Sequence, residues 1–184
     1  MKYYKKKEKN YHHWEEVGER DGYMTAEGNN EYAQIRNILG NYIQDEDKIL
    51  DVGCANGNNL EWWEKMGKKF EYVGMDYSNN FIKTNTKRRP DIRWKVADAR
   101  KLPVKDGEFD VVVIYDVLDA LEGWQEALSE AIRASRKRIL ITMWMDAHME
   151  EKKVYLEKKG LKVVKIEIVG DGIHYHYILI CDKT

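Results

Sequence analysis

From Lys48 onward the sequence alternates short apolar runs with longer amphipathic stretches, and that alternation admits few folds. Strands are predicted at residues 49–52, 72–75, 92–97, 109–115 and 138–144. The run at 109–115 is β-branched enough for a strand buried on both faces. Between the strands, Leu60 with Trp63, and Phe81 with Ile82, mark helices, and Ser78 is placed to cap the second of them. Trp124, Ala127, Leu128, Ala131 and Ile132 recur at helical spacing, and a last helix over 149–159 stops at Gly160. The rhythm then breaks. Residues 161–169 and 175–181 are two strands joined by Gly170-Asp171-Gly172-Ile173, a hairpin rather than a helical crossover. The expected fold is α/β, a doubly wound and mostly parallel sheet with an antiparallel edge element. Such a sheet binds its ligand beyond the carboxyl ends of its strands.

Composition narrows the class without naming a function. The chain has 184 residues, 43% of them apolar, which suits one compact domain. Lys plus Arg number 31 against 32 Asp plus Glu, a net charge of −1 that gives no bulk attraction for nucleic acid or an anionic membrane. No apolar run approaches the ~20 residues of a membrane span. The opening Met1-Lys2-Tyr3-Tyr4-Lys5-Lys6-Lys7 lacks the apolar stretch of a secretory signal, and Cys54 and Cys181 alone cannot frame a disulfide scaffold or metal cage. The expected location is therefore cytoplasmic. Residues 1–10 read as a basic flexible tail, 11–47 as a helical cap or lid with helices at 11–20 and 31–43, and 48–184 as the core.

The strand ends carry the chemistry. After the first strand comes Asp51-Val52-Gly53-Cys54-Ala55-Asn56-Gly57, whose small residues would let a ligand approach the backbone at a helix N-terminus. Asp76 follows the second strand, where a carboxylate can accept both hydroxyls of a ribose, and Asp98-Ala99 follows the third. A nicotinamide dinucleotide wants similar features, but Gly53, Ala55 and Gly57 do not make G-x-G-x-x-G. An acidic residue at the end of the first strand also suits a ligand that is uncharged or cationic there better than a pyrophosphate.

These motifs resemble those of class I S-adenosylmethionine-dependent methyltransferases. The stretch ending in Asp51-Val52-Gly53-Cys54-Ala55-Asn56-Gly57 is similar to the family's first motif, Val73-Gly74-Met75-Asp76-Tyr77-Ser78 to its second. Val96-Ala97-Asp98-Ala99-Arg100-Lys101-Leu102-Pro103 resembles the third, and residues 109–121 the fourth. The resemblance implies a seven-stranded Rossmann-like sheet of order 3-2-1-4-5-7-6 with the last strand antiparallel, and S-adenosyl-L-methionine as cofactor, over residues 48–144 and the tail hairpin. It also implies that Gly53, Ala55 and Gly57 lie against the cofactor. Asp51 would order that turn through backbone N–H groups or reach the cofactor amine. Asp76 would hold the ribose, Tyr77 flank the adenine, Asp98 and Ala99 meet its amine edge, and Tyr115 border the methionine. Ala55 stands where the family's middle glycine is usual, and Ala120 where many small-molecule members carry His.

Methyl transfer from a sulfonium needs alignment and exclusion of water more than a catalytic set. Where the acceptor must lose a proton, Asp116, Asp119, His12 and His13 are the candidate bases by location. Tyr11, His12, His13 and Trp14 form an aromatic cluster that is either a packing helix or a lid over cofactor and acceptor, with Tyr11 and Trp14 the substrate-side candidates. His174 and His176 share a strand face, but no third ligand accompanies them, so no metal site is expected. Cys54 reads as a small buried residue, Trp62, Trp63 and Trp124 as packing groups, and the basic run at 133–138 as a solvated helix end. A small-molecule acceptor is the leading expectation. The alternatives are a catalytically degenerate cofactor-binding module serving a partner protein, or a nucleic-acid or protein methyltransferase. Near-zero charge and the lack of an Asp/Asn-Pro-Pro run after the fourth strand disfavour nucleic acid.

Overall fold

A computed structural model describes residues 30–146, 148–170 and 173–184. The expected tail, the helix at 11–20 and the cluster Tyr11, His12, His13 and Trp14 lie outside the described residues. The strands are β1 (Lys48–Val52), β2 (Glu71–Asp76), β3 (Arg93–Val96), β4 (Phe109–Tyr115), β5 (Ser135–Trp144), β6 (Leu161–Gly170) and β7 (Tyr175–Lys183). They form a single seven-stranded sheet in the order β3-β2-β1-β4-β5-β7-β6. Parallel pairing runs from β3 to β5, and β7 inserts antiparallel between β5 and β6. This is the Rossmann-like methyltransferase arrangement expected from the motifs.

Five helices are described: α1 (Asn30–Gly40), α2 (Asn58–Lys65), α3 (Asn79–Arg88), α4 (Trp124–Ala134) and α5 (Met149–Lys158). Ser78 caps α3 as its sequence position predicts, its Oγ accepting from the Phe81 N–H at 3.4 Å. Two apolar layers enclose the sheet. Ile35 and Leu39 of α1 with Leu60 and Trp63 of α2 cover one face, against Ile49, Val111, Val113, Ile178 and Ile180. Ala127, Leu128 and Ala131 of α4 and Leu156 of α5 cover the other. All seven residues of β4 are buried, which explains the unbroken apolar run. Gly40 lets α1 lie close to the end of α2, since a Cβ there would stand 2.8 Å from the Met66 sulfur. None of the described helices is long and apolar enough to cross a membrane.

The basic run requires a correction. It is not a solvated helix end: α4 stops at Ala134, and β5 begins three residues before the expected position, with Ser135 buried. Each cation there meets acid. Arg133 pairs with Glu130 and Asp106, Arg136 with Asp110, Lys137 with Asp47 and Asp110, and Arg138 with Asp182. Three consecutive cations, Arg136, Lys137 and Arg138, hide the strand start, because ion pairs rather than apolar burial hold them there.

Candidate cofactor site

The carboxyl ends of β1, β2, β3 and β4 converge on one rim, because parallel neighbours keep their C-terminal ends together. The turn leaving β1 is held in left-handed backbone at Gly53 (φ 76°), Ala55 (φ 43°) and Gly57 (φ 78°). Ala55 thus keeps the conformation a glycine would adopt there, at the modest cost an L-residue carries in this region. The glycines are needed first for the chain's own packing. A Cβ on Gly53 would lie 2.3 Å from the Val117 Cγ2, and one on Gly57 would lie 2.8 Å from the Trp94 Cη2.

Asp76, not Asp51, orders this turn. Its Oδ2 accepts from the Ala55 N–H at 2.8 Å and its Oδ1 from the Ser78 N–H at 2.8 Å, so one carboxylate fastens the turn after β1 to the start of α3. Asn85 adds a hydrogen bond to the Ala55 carbonyl at 2.7 Å. The expectation that Asp51 orders the turn through backbone N–H groups is therefore corrected. Asp51 is wholly buried, and its Oδ2 accepts from side chains: the Tyr72 hydroxyl at 2.6 Å and the Asn59 amide at 3.1 Å. Burial, outweighing those two bonds, raises its pKa to about 6.

Asn59 extends this contact into a relay, since its Oδ1 accepts from the Arg36 Nε at 3.1 Å. Arg36 lies over the Tyr115 ring, 5.6 Å from its centroid, and is itself buried. Three buried polar atoms of this relay have no hydrogen-bond partner among the described residues: Arg36 Nη1, Asp51 Oδ1 and the Tyr115 hydroxyl. Buried polar atoms are rarely left so. A guanidinium donor, a carboxylate oxygen and a hydroxyl together complement a zwitterionic amino acid, the terminal group of S-adenosylmethionine. The residues present fit that cofactor.

The remaining predicted positions are placed as follows. Tyr77, next after Asp76, is 43% exposed. Asp98, after β3, accepts from the Arg100 N–H at 2.9 Å and pairs with its guanidinium at 2.7 Å; the Arg100 hydrogen bonds hold its pKa low. Ala99 packs against the apolar layer beside it. Asp116 follows β4 in left-handed backbone (φ 52°), and Asp119 is exposed before α4. Asp116 meets His176, whose Nε2 lies 2.9 Å from its Oδ2, while Glu31 faces Nδ1 at 2.8 Å. Neither His174 nor His176 joins a metal-binding group among the described residues: His174, just before β7, stacks on Trp144. Cys54 is buried, and burial holds its thiol well above its ordinary pKa, as befits a packing residue.

A Rossmann-like rim with an acid at each of three adjacent strand ends defines a nucleoside-cofactor domain. Residues 50–140 match the methyltransferase domain family. The chain carries a class I S-adenosylmethionine-dependent methyltransferase domain. An eEF1A lysine and N-terminal methyltransferase of Danio rerio is 28% identical over 133 residues, 70% of this chain and 19% of its own length. A demethylmenaquinone methyltransferase of Renibacterium salmoninarum is 33% identical over 89 residues, 48% of this chain and 37% of its own. The chain spans less than half the length of these curated relatives. Among solved structures, magnesium protoporphyrin IX methyltransferase of Synechocystis PCC 6803, with bound S-adenosylmethionine, superposes at TM-score 0.72 with 13% identity over 88% of each chain, a likeness of fold.

Proposed function

We propose that the chain binds S-adenosylmethionine on the rim of β1 to β4 and transfers its methyl group to a small-molecule acceptor. The observation that carries this reading is the set of partnerless buried atoms on Arg36, Asp51 and Tyr115. Arg36 would take the cofactor's carboxylate and Asp51 its ammonium. Asp76 would share its oxygens with the ribose, and Tyr77, Asp98 and Ala99 would border the adenine. When bound, the cofactor supplies a sulfonium-activated methyl group, open to in-line displacement. The chain's own part is to hold the donor, to keep water out beneath α1, and to align the acceptor. Residues 48–184 form the cofactor-binding core in this reading, and 11–47 the cap through which an acceptor is recognised. The quinone-directed relative supports a small acceptor.

A second reading, an amine on a protein, is favoured by the relative from Danio rerio, an eEF1A lysine and N-terminal methyltransferase.

Calorimetry with S-adenosylmethionine and S-adenosylhomocysteine tests the shared premise. Micromolar binding is expected for wild type, with at least a tenfold loss in Asp76→Ala, because removing that carboxylate unseats the Ala55 turn. Absence of wild-type binding ends the methyltransferase reading. Transfer of labelled methyl to quinones, phenols and small amines, set against lysine-bearing peptides, separates the two acceptors. Binding without transfer to any of them supports the cofactor-binding module instead.

A further inference from the structure

His176 is not among the residues proposed above to hold the cofactor, yet it is enclosed at the site's edge, 1% exposed. It sits where three elements meet. From α1, Glu31 Oε1 lies 2.8 Å from its Nδ1; from the end of β4, Asp116 Oδ2 lies 2.9 Å from its Nε2. Asp116 is fixed in turn by Thr142 of β5, whose hydroxyl donates to Oδ1 at 2.7 Å and also accepts from the Asp116 N–H at 3.0 Å. Tyr32, the residue after Glu31, sets its ring edge-on to the imidazole at 5.3 Å and stacks on Tyr115 at 6.3 Å.

We propose that His176 is a positioning residue for this site, a latch that holds the N-terminal end of α1 against the carboxyl end of β4 and the amino end of β7. The consequence for cofactor affinity rests on the methyltransferase reading; the latch itself does not. The argument is geometric. Each imidazole nitrogen faces a carboxylate oxygen, so both contacts are hydrogen bonds only when both nitrogens carry protons. A neutral ring donates once and turns a lone pair toward the other carboxylate, so one contact must open. Opening either contact breaks the path that runs from Glu31 of α1 through the imidazole to Asp116, and Tyr32 and Arg36 then lose their fixed approach to Tyr115.

The groups facing the ring support a charged imidazole. Glu31 and Tyr32 approach from α1 and Asp116 from β4, while the cross-strand neighbours Trp144 on β5 and Val169 on β6 carry no charge. Arg36, the nearest cation of α1, lies over Tyr32 and Tyr115 rather than against the ring. Burial opposes the charge, but the hydrogen bonds and charges of Asp116 and Glu31 outweigh it, and the pKa is raised above its ordinary 6.5. A raised folded-state value means that the latch's contribution is complete below the unfolded value of 6.5 and is lost as pH rises through the folded one.

NMR of the imidazole nitrogens and amide hydrogen exchange test the latch without cofactor. In wild type both nitrogens should remain protonated at neutral pH. Amides within α1 should lose at least tenfold of their protection once the imidazole titrates, after correction for intrinsic exchange. His176→Asn should exchange at the fast rate at every pH. If that variant does not fold, Glu31→Gln carries the test: its imidazole should titrate at least a unit lower. A single neutral tautomer in wild type at neutral pH, or α1 protection indifferent to pH and to both substitutions, overturns the proposal. A third measurement reads function. S-adenosylhomocysteine affinity should fall several-fold as wild-type His176 deprotonates and should not titrate there in His176→Asn. If wild type binds none, the methyltransferase reading fails and the exchange result stands by itself.

Discussion

Asp51 is ionised at a cost the fold bears alone. Its folded pKa, about 6 against 3.8 for the free group, means that the folded chain holds the proton more tightly than the unfolded one. No penalty exists below 3.8; it grows as pH rises through about 6 and then stays constant, reaching on the order of 3 kcal/mol for a shift of about two units. Asp51→Asn should therefore stabilise the cofactor-free chain by about 1–3 kcal/mol at neutral pH and flatten the slope between pH 4 and 6, as urea titrations would measure. The same substitution should weaken S-adenosylhomocysteine at least tenfold, and wild-type affinity should itself decline below pH 6 as the carboxylate takes up a proton. Stabilisation joined to loss of binding is the mark of a residue kept for its ligand. No gain in stability, with affinity unchanged, would show that Asp51 is only a packing group.

The turn between β1 and α2 is the element on which the site depends most directly. Gly53→Ala would put a Cβ against Val117 in left-handed backbone, with an expected loss of about 2–3 kcal/mol in thermal or chemical unfolding and a greater loss of cofactor affinity. Most of the elements themselves are legible in the sequence, because buried parallel strands must be apolar runs and their helices must show an apolar stripe. Phe109–Tyr115 has the same limits in sequence and structure. The acids Asp51, Asp76 and Asp98 were likewise readable as strand-end groups, since Asp51 is next to last in the first predicted strand and the other two directly follow the second and third. Their division of labour was not: that Asp76 rather than Asp51 ties the turn depends on where the backbone N–H of Ala55 points. Arg36, Asn59 and Glu31 escaped notice altogether. Arg36 meets Asn59, Asn59 meets Asp51 and Glu31 meets His176 through folds of the chain, the His176–Glu31 contact spanning 145 positions, and an Arg or Glu on an amphipathic helix carries no local mark of such a partner. His176 was visible only as half of a pair with His174, and the strand alternation that put them on one face did not reveal that one is enclosed and the other stacked outside.

At the scale of the whole molecule the sheet leaves the carboxyl ends of β1 to β4 on one rim and gathers the basic run at 133–138 elsewhere, against acids. Heparin or duplex DNA should accordingly fail to retain the chain at physiological salt in a column or gel-shift assay. Retention with steep salt dependence would reveal a polyanion surface. The pairing has a kinetic side as well. Opposite charges in contact behave as short dipoles, whose field dies away faster with distance than that of a lone charge, and salt shortens its reach further. This run therefore lends little long-range pull on a charged acceptor. Encounter at this face begins at touching distance, and its rate should be nearly indifferent to ionic strength.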